Sequence, residues 1–352
     1  MKKIICAALA VLIAFSCCSC GGELINKKER YSASFLDLFD TASTVIAYDE
    51  SQKAFDAHYN QFYEMLKEYD RLYDIYKAYD GVVNLYTLNR EAKNGPVRVD
   101  EKIIDLLEYG KEVYEQSQGK TNICFGAVLS LWHTCRENAE DNPQDASIPD
   151  MNALKEAAKH TDINDLVIDR ESSTVYFADE LLQLDVGAIA KGYAVARVTK
   201  WAQENLWTSA AISIGGNVSV FGYKNDDGKT LWSIGIENPD LTSEDYLATV
   251  KITGLSVVTS GDYQRYFTVD GKKYCHIINP ETLMPAEYVS AVSVICSDSA
   301  QGDALSTTLF NMSIEDGTAL VESTDGVEAV WTDKSGNQTY STGFISYISQ
   351  QN

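Results

Sequence analysis

Two short stretches hold the residue types most able to do chemistry. The first is Asp185-Val-Gly-Ala-Ile-Ala-Lys191-Gly-Tyr193. An acid ends an extended segment, glycine permits a tight turn, and a helix opens with a lysine in its first turns. Free N–H groups at a helix start favour a phosphate, and Lys191 adds a mobile cation. The same residues also fit a glycine-hinged turn with a solvated lysine. The second is Asp298-Ser-Ala-Gln-Gly-Asp303-Ala-Leu-Ser306-Thr307-Thr308. Asp303, Ser306 and Thr307 are spaced i, i+3 and i+4, on one face of a helix. A carboxylate and hydroxyls, with phosphate oxygens and water, suit a hard octahedral ion such as Mg²⁺. Helix capping by Asp298 or Ser299, with Asp303 as a solvated charge, is the plainer reading.

Three further stretches are weaker. His276, in Cys275-His276-Ile277-Ile-Asn-Pro280, stands at a strand end before a proline turn, where it can act as a base or as a structural histidine. Ile214-Gly-Gly-Asn217 is a strand segment whose glycines let a flat ligand or a backbone come close. Ser260-Gly-Asp-Tyr263-Gln-Arg265 offers an arginine beside an aromatic ring, and Tyr76 is a candidate for ring stacking. No Ser/His/Asp arrangement, H-E-x-x-H or EF-hand loop is present.

The elements that must position these residues can be read from hydrophobic spacing. Ser34–Tyr48 reads as a strand or hairpin around Phe39-Asp40-Thr41. Phe55, Tyr59, Phe62, Leu66, Tyr69 and Tyr73 recur at helical spacing and predict a helix from Ser51 to Tyr76. Asp100 caps a further helix that ends before Gly119. Residues 136–150 read as a polar surface excursion, and 152–160 as a short helix. Strands are expected at 166–169 and 174–177, then a strand end at 183–186 and a helix at 188–206. Further strands are expected at 210–221, 231–237, 247–259, 262–269, 273–279 and 289–296. A helix at 299–312 and strands at 327–332 and 339–348 close the chain. Blocks of helix and mostly antiparallel strand make the fold class α+β.

Composition narrows the function. The chain has 352 residues, 29 Lys+Arg against 51 Asp+Glu and a net charge of −22. That argues against a nucleic-acid partner, which needs a basic footprint. Residues 1–16 read as a signal peptide: Lys2 and Lys3, then the apolar run Ile4–Phe15, too short to span a bilayer of about 30 Å. Ala14 and Ser16 fit the small positions before a lipidated Cys17, and residues 17–31 read as a tether. The body, 32–352, is expected outside the cytoplasmic membrane, lipid-anchored to its outer face or in the periplasm. Cys124, Cys135, Cys275 and Cys296 are dispersed and read as free thiols.

Taken in order, these stretches resemble the ApbE family of FAD:protein FMN transferases. The resemblance runs through Phe39-Asp40-Thr41, Leu72-Tyr-Asp-Ile-Tyr76, Thr121-Asn122-Ile123, Leu131-Trp132, Asp185–Tyr193, Ile214–Asn217, His276–Pro280 and Asp303–Thr307. It departs from the family pattern at Phe39-Asp40, Thr121-Asn122, Ala196 and Leu283-Met284. The resemblance implies a two-lobed, T-fold-like architecture and an Mg²⁺-dependent enzyme. Such an enzyme splits FAD, releases AMP and joins FMN through a phosphoester to a threonine or serine hydroxyl of a partner protein. It implies metal ligands at Asp303, Ser306 and Thr307, with the Ala188 carbonyl. FAD contacts fall on Phe39, Tyr76, Thr121, Asn122, Ile123, Asp185, Lys191 and Ile277. His276 and Asp303 are the candidates for catalysis. The implied partners are membrane redox subunits that carry covalent FMN, of the Nqr/Rnf type. Two other readings share the cleft: an FAD pyrophosphatase giving free FMN and AMP, and a flavin-binding lipoprotein without chemistry.

Overall fold

Helix positions follow the apolar spacing wherever one face is buried. In the computed structural model, which describes residues 28–349, the helices are α1 (Gln52–Tyr73), α2 (Leu85–Glu91), α3 (Glu101–Gln116), α4 (Gly126–Asp141), α5 (Met151–Ala157), α6 (Ala190–Asn205), α7 (Ser299–Phe310) and α8 (Ile314–Glu322). Residues 1–16, Cys17 and the first part of the tether lie outside the described residues. The end of the expected tether is a strand, because Glu29–Phe35 pairs with Ser43–Asp49.

Ser51 caps α1, its Oγ accepting from Ala54 N at 3.2 Å. The helix stops at Tyr73 rather than Tyr76 because Asp74 turns extended and its Oδ1 accepts from the Tyr76 N–H at 2.7 Å. Asp100 caps α3 as expected. The excursion expected from 136 begins only after Asp141, since Val128, Trp132 and Ala139 give α4 a buried face. Helices α2, α4 and α8 were not expected. Two of them, α2 and α8, are short and open on a capping side chain, Asn84 and Ser313 respectively.

The strands are β1 (Glu29–Phe35), β2 (Ser43–Asp49), β3 (Val97–Arg98), β4 (Leu166–Asp169), β5 (Thr174–Phe177), β6 (Ala210–Ile214), β7 (Asn217–Phe221), β8 (Trp232–Ile236), β9 (Ala248–Ile252), β10 (Leu255–Gly261), β11 (Tyr266–Val269), β12 (Lys272–Cys275), β13 (Ala291–Cys296), β14 (Glu328–Thr332) and β15 (Gln338–Tyr340). Eight of them form one antiparallel sheet in the order β1-β2-β6-β7-β10-β13-β14-β15. Its two edges are separate strands, so it is open rather than a closed barrel. Four expectations fail here. Residues 210–221 are two strands, β6 and β7, turned at Gly215-Gly216, and 247–259 is divided between β9 and β10. Residues 183–186 form no strand, only a bridge from Gln183 to Phe125. The expected strand 339–348 stops at Tyr340 and gives way to a helical turn at Phe344–Tyr347.

Helix α7 is central. It packs against α6 on one side and against β10 and β13 on the other. All six residues of β13 are buried, so its sequence is apolar on both faces apart from Ser293, whose hydroxyl pairs with Thr259 Oγ1. A large cluster built on α1, α3 and α6 packs below, and a second one gathers α7, α8, β13 and β14. Cys124, Cys135, Cys275 and Cys296 are free, and all but Cys135 are buried. No helix among the described residues is long and apolar enough to cross a membrane.

Candidate active site

The turn into α6 and the face of α7, 112 residues apart in sequence, meet directly. Asp185 is buried; its N–H donates to Ile123 O at 2.8 Å, and its Oδ1 accepts from Gly187 N at 2.9 Å. This fixes the approach to α6. One turn in, the Gly192 N–H donates to Asp303 Oδ2 at 2.7 Å. Only glycine allows that approach: a Cβ on residue 192 would lie 2.3 Å from Asp303 Cβ and 2.4 Å from Ser299 O. Lys191 Nζ donates to Asp303 Oδ1 at 3.2 Å and to Asn217 Oδ1. The other end of the Asn217 side chain, Nδ2, is buried without a partner. Asn217 follows the Gly215-Gly216 turn between β6 and β7, where both glycines have positive φ. On the next turn of α7, Ser306 Oγ donates to Asp303 O at 3.0 Å and pairs with Ser260 Oγ of β10 at 2.8 Å. Thr307 beside it is half-buried.

A second group lies beside this junction, with His133 Nε2 4.0 Å from Asp185 Oδ2. His276, just past β12, places Nδ1 3.1 Å from the Arg265 carbonyl. That acceptor fixes the proton on Nδ1 and leaves the Nε2 lone pair free. Burial, and then the Arg265 charge, lower the His276 pKa to about 4, with Arg136 and Lys191 adding to the effect. The ring is therefore neutral at neutral pH. Arg136 and His133 lie three residues apart on α4, and His133 sits between Tyr76 and Asp185. Burial lowers the His133 pKa, while Asp185 opposes the shift. His133, Arg136 and Asn217 escaped the choice of site residues from sequence. The two on α4 carried a signal in their i, i+3 spacing beside Trp132, hidden because the segment from 136 reads as polar loop.

The remaining expected contacts divide by what their side chains do. Tyr76 is exposed at the cleft edge. Phe39 is half-buried in a tight turn with φ 53°, its N–H held by Asp70 Oδ1 at 2.8 Å. Thr121 pairs its hydroxyl with Thr308 Oγ1 at 2.8 Å. Asn122 uses both ends of its amide locally, accepting from Cys124 N and donating to Thr161 O. Ile123 and Ile277 are buried. These four shape the framework around the cleft.

Among the described residues no three His, Cys, Asp or Glu side chains cluster as a metal site. A divalent ion here would have one carboxylate, Asp303, with hydroxyl and carbonyl oxygens. That donor set fits Mg²⁺, which takes one or two carboxylates and completes its shell with water and phosphate.

A family model for the ApbE family matches residues 39–331. The chain belongs to the ApbE family. It is 33% identical over 276 residues to an FAD:protein FMN transferase of Treponema pallidum, covering 75% of this chain and 74% of that protein. An FAD:protein FMN transferase of Klebsiella pneumoniae is 29% identical over 248 residues, covering 70% of this chain and 74% of that one. A crystal structure of the ApbE protein from Thermotoga maritima superposes with a TM-score of 0.79 at 27% identity, covering 92% of this chain and all of that chain. The flavin transferase ApbE of Vibrio cholerae shares the fold, with a TM-score of 0.75 at 22% identity over 91% of this chain and 99% of that chain. The protein is thus an enzyme of the FAD:protein FMN transferase kind, with FAD as its substrate.

Proposed function

We propose that the diphosphate of FAD lies between the start of α6 and Asp303. In this reading FMN passes to a threonine or serine hydroxyl of a partner protein, and AMP is released. The observation that carries this is the 2.7 Å bond from Gly192 N–H to Asp303. It joins a helix start and lysine, suited to phosphate, to an acid and hydroxyls suited to Mg²⁺.

The acceptor oxygen attacks the phosphorus on the flavin side, and the bond from that phosphorus to the AMP oxygen breaks. The hydroxyl proton goes to Nε2 of His276, whose other nitrogen is held by the Arg265 carbonyl. Asp303 serves as a fixed charge and metal ligand rather than a base: each of its oxygens already meets one cation or N–H, Lys191 or Gly192, and the ion would take a remaining lone pair. Lys191, Arg136 and Arg265 balance the charge of the diphosphate and of the departing AMP. Mg²⁺, held by Asp303 with oxygens of Ser306, Thr307 and Ala188, would supply further charge neutralisation at the phosphates. Tyr76 and Phe39 would hold the rings of the dinucleotide. Asp185 sets the turn, and residues 121–123 and 277 offer backbone groups at the cleft wall.

The acceptor class we propose is membrane redox subunits of the Nqr/Rnf type that carry covalent FMN. A lipid anchor on Cys17, bearing acyl chains such as palmitate, would hold the enzyme at the outer face of the cytoplasmic membrane or in the periplasm. The test is to incubate the full chain with FAD, Mg²⁺ and an acceptor, then weigh the acceptor. The expected result is one added FMN and an equal amount of AMP, lost with EDTA and restored by Mg²⁺. Free FMN and AMP with an unmodified acceptor would instead identify a hydrolase.

A further inference from the structure

Tyr76 is an aromatic side chain left 59% exposed at the rim of a cleft. Its backbone is tied by the Asp74 carboxylate, but the ring has little packing to fix it. Its hydroxyl points at His133 Nδ1, 3.4 Å away, with ring centroids 5.9 Å apart and tilted by 41°. The other nitrogen of that ring, Nε2, faces Asp185 Oδ2 at 4.0 Å. Asp185 in turn holds Gly187 through its second oxygen, and so fixes the turn that delivers Lys191 and Gly192. Three elements that are far apart in sequence are thereby strung together: the segment after α1, the face of α4 and the entry to α6.

His133 is not a core histidine. Its neighbour Trp132 fills the interior and donates its indole N–H to Leu283 O at 3.0 Å. The His133 side chain instead retains 21% exposure and stands beside Arg136 in the cleft.

We propose that His133 is a positioning residue that ties the Tyr76 ring to Asp185, so that the stacking platform and the phosphate-binding turn are set as one unit. This rests on the reading of the cleft as the FAD site. The required tautomer follows from the neighbours: Nε2–H toward the carboxylate, and the Nδ1 lone pair toward the tyrosine O–H. Neutral imidazole is what the cleft maintains, since burial and the nearby arginines oppose a second proton. The gaps of 3.4 and 4.0 Å exceed an ordinary hydrogen bond. Such contacts tighten when ligand replaces water.

The test is equilibrium FAD binding to the full chain, read by quenching of flavin fluorescence, without acceptor. His133→Ala should weaken binding by about twofold to tenfold, the range of one or two hydrogen bonds. Tyr76→Phe should do the same, and the double variant should be no weaker than the worse single one, because both remove the same link. His133→Asn keeps a polar atom near Nδ1 and should restore part of the Tyr76 effect. His133→Gln keeps one near Nε2, facing Asp185, and should bind FAD more tightly than His133→Ala. In turnover the loss should fall on KM for FAD, with kcat within about threefold, since uniform binding is what is removed. Unchanged binding in His133→Ala, or fully additive losses in the double variant, overturns the proposal. A wild-type chain that retains no FAD in equilibrium dialysis refutes the FAD cleft itself. Melting temperatures of the Asn and Gln variants, expected near wild type, separate a positioning loss from misfolding.

Discussion

Replacing Gly192 by alanine tests the junction on which the site depends. In an ordinary helix interior this change stabilises by about 1 kcal/mol, because alanine loses less backbone entropy. Here the new Cβ would lie 2.3 Å from Asp303 Cβ and 2.4 Å from the Ser299 carbonyl oxygen. The first contact falls short of a normal carbon–carbon separation of roughly 3.5 Å by about 1.2 Å. Neither neighbour is the free end of a flexible side chain: one is the root of Asp303, the other backbone. Helix α6 must therefore shift against α7 by about 1 Å. Overpacking of this kind costs about 1–3 kcal/mol. Weakening the bond from Gly192 N–H to a carboxylate adds about 1.5–3 kcal/mol. Net of the propensity gain, stability should fall by about 1.5–5 kcal/mol. The rate should fall too, because a misplacement of about 1 Å at a reacting centre can cost roughly 10²-fold, about 2.7 kcal/mol. The measurements are the urea midpoint and the FMN-transfer rate at saturating FAD. An alanine variant with the midpoint and rate of the wild type would refute the packed junction between α6 and α7.

Asp303→Asn keeps an oxygen for Gly192 N–H but removes the charge facing Lys191. Transfer should fall by roughly 10²–10³-fold, with added Mg²⁺ failing to recover it; a melting curve close to wild type would show that folding is intact. For His276→Ala we expect a loss of about 10²–10⁴-fold, the range for a general base. With a wild-type pKa of about 4, kcat/KM should stay level as pH falls from 8 to roughly 5, and an acid limb centred near 6.5 would contradict the cleft's electrostatics. Stability has a matching sign. His276 and His133 bind protons more readily unfolded than folded, so the urea midpoint should decline as pH drops below about 6.5 toward 4. Burial holds Cys124 and Cys296 up to about 12. Iodoacetamide labelling at pH 7.5, mapped by peptide mass, should therefore modify Cys135 well before Cys124, Cys275 or Cys296; equal rates would mean that these thiols are not buried.

What was legible in the sequence was local periodicity and capping. The hairpin 166–177 falls where the Arg170–Ser173 turn places it, and Asp100 and Ser51 open the helices they were expected to open. Pairing across the chain was not readable from spacing. Nothing between residues 192 and 303 announces that a glycine amide and a carboxylate will bond; the family resemblance placed the two segments at one site, and the contact between α6 and α7 shows the bond itself. Helix α4 was missed because its exposed face, Glu137 and Asn138 with Glu140 and Asp141, is as polar as a loop. Its buried face is sparse, with four residues, two of them glycine and alanine. The 183–186 segment misled for another reason. Leu182, Leu184 and Val186 alternate as in a strand, but single bonds, from Gly126 N–H to Gln183 O and from Asp185 N–H to Ile123 O, replace a ladder.

The burial of Asp303 argues for function rather than stability. A carboxylate 5% exposed, answered by one lysine at 3.2 Å, is an arrangement that well-packed apolar residues commonly match or exceed in stability. Lys191 is itself shared with Asn217, whose amide nitrogen has no partner. A fold built only to persist would have little use for a buried acid, a divided cation and an orphaned donor at one junction. The same junction departs from the rest of the molecule in charge. The chain carries −22 overall, yet Lys191, Arg136 and Arg265 all act on the neutral His276. Cations gathered at a single cleft of an acidic protein are suited to a compact anion held at close range. The diphosphate of FAD is such an anion, and the acid, hydroxyls and helix start around it supply the rest of its surroundings.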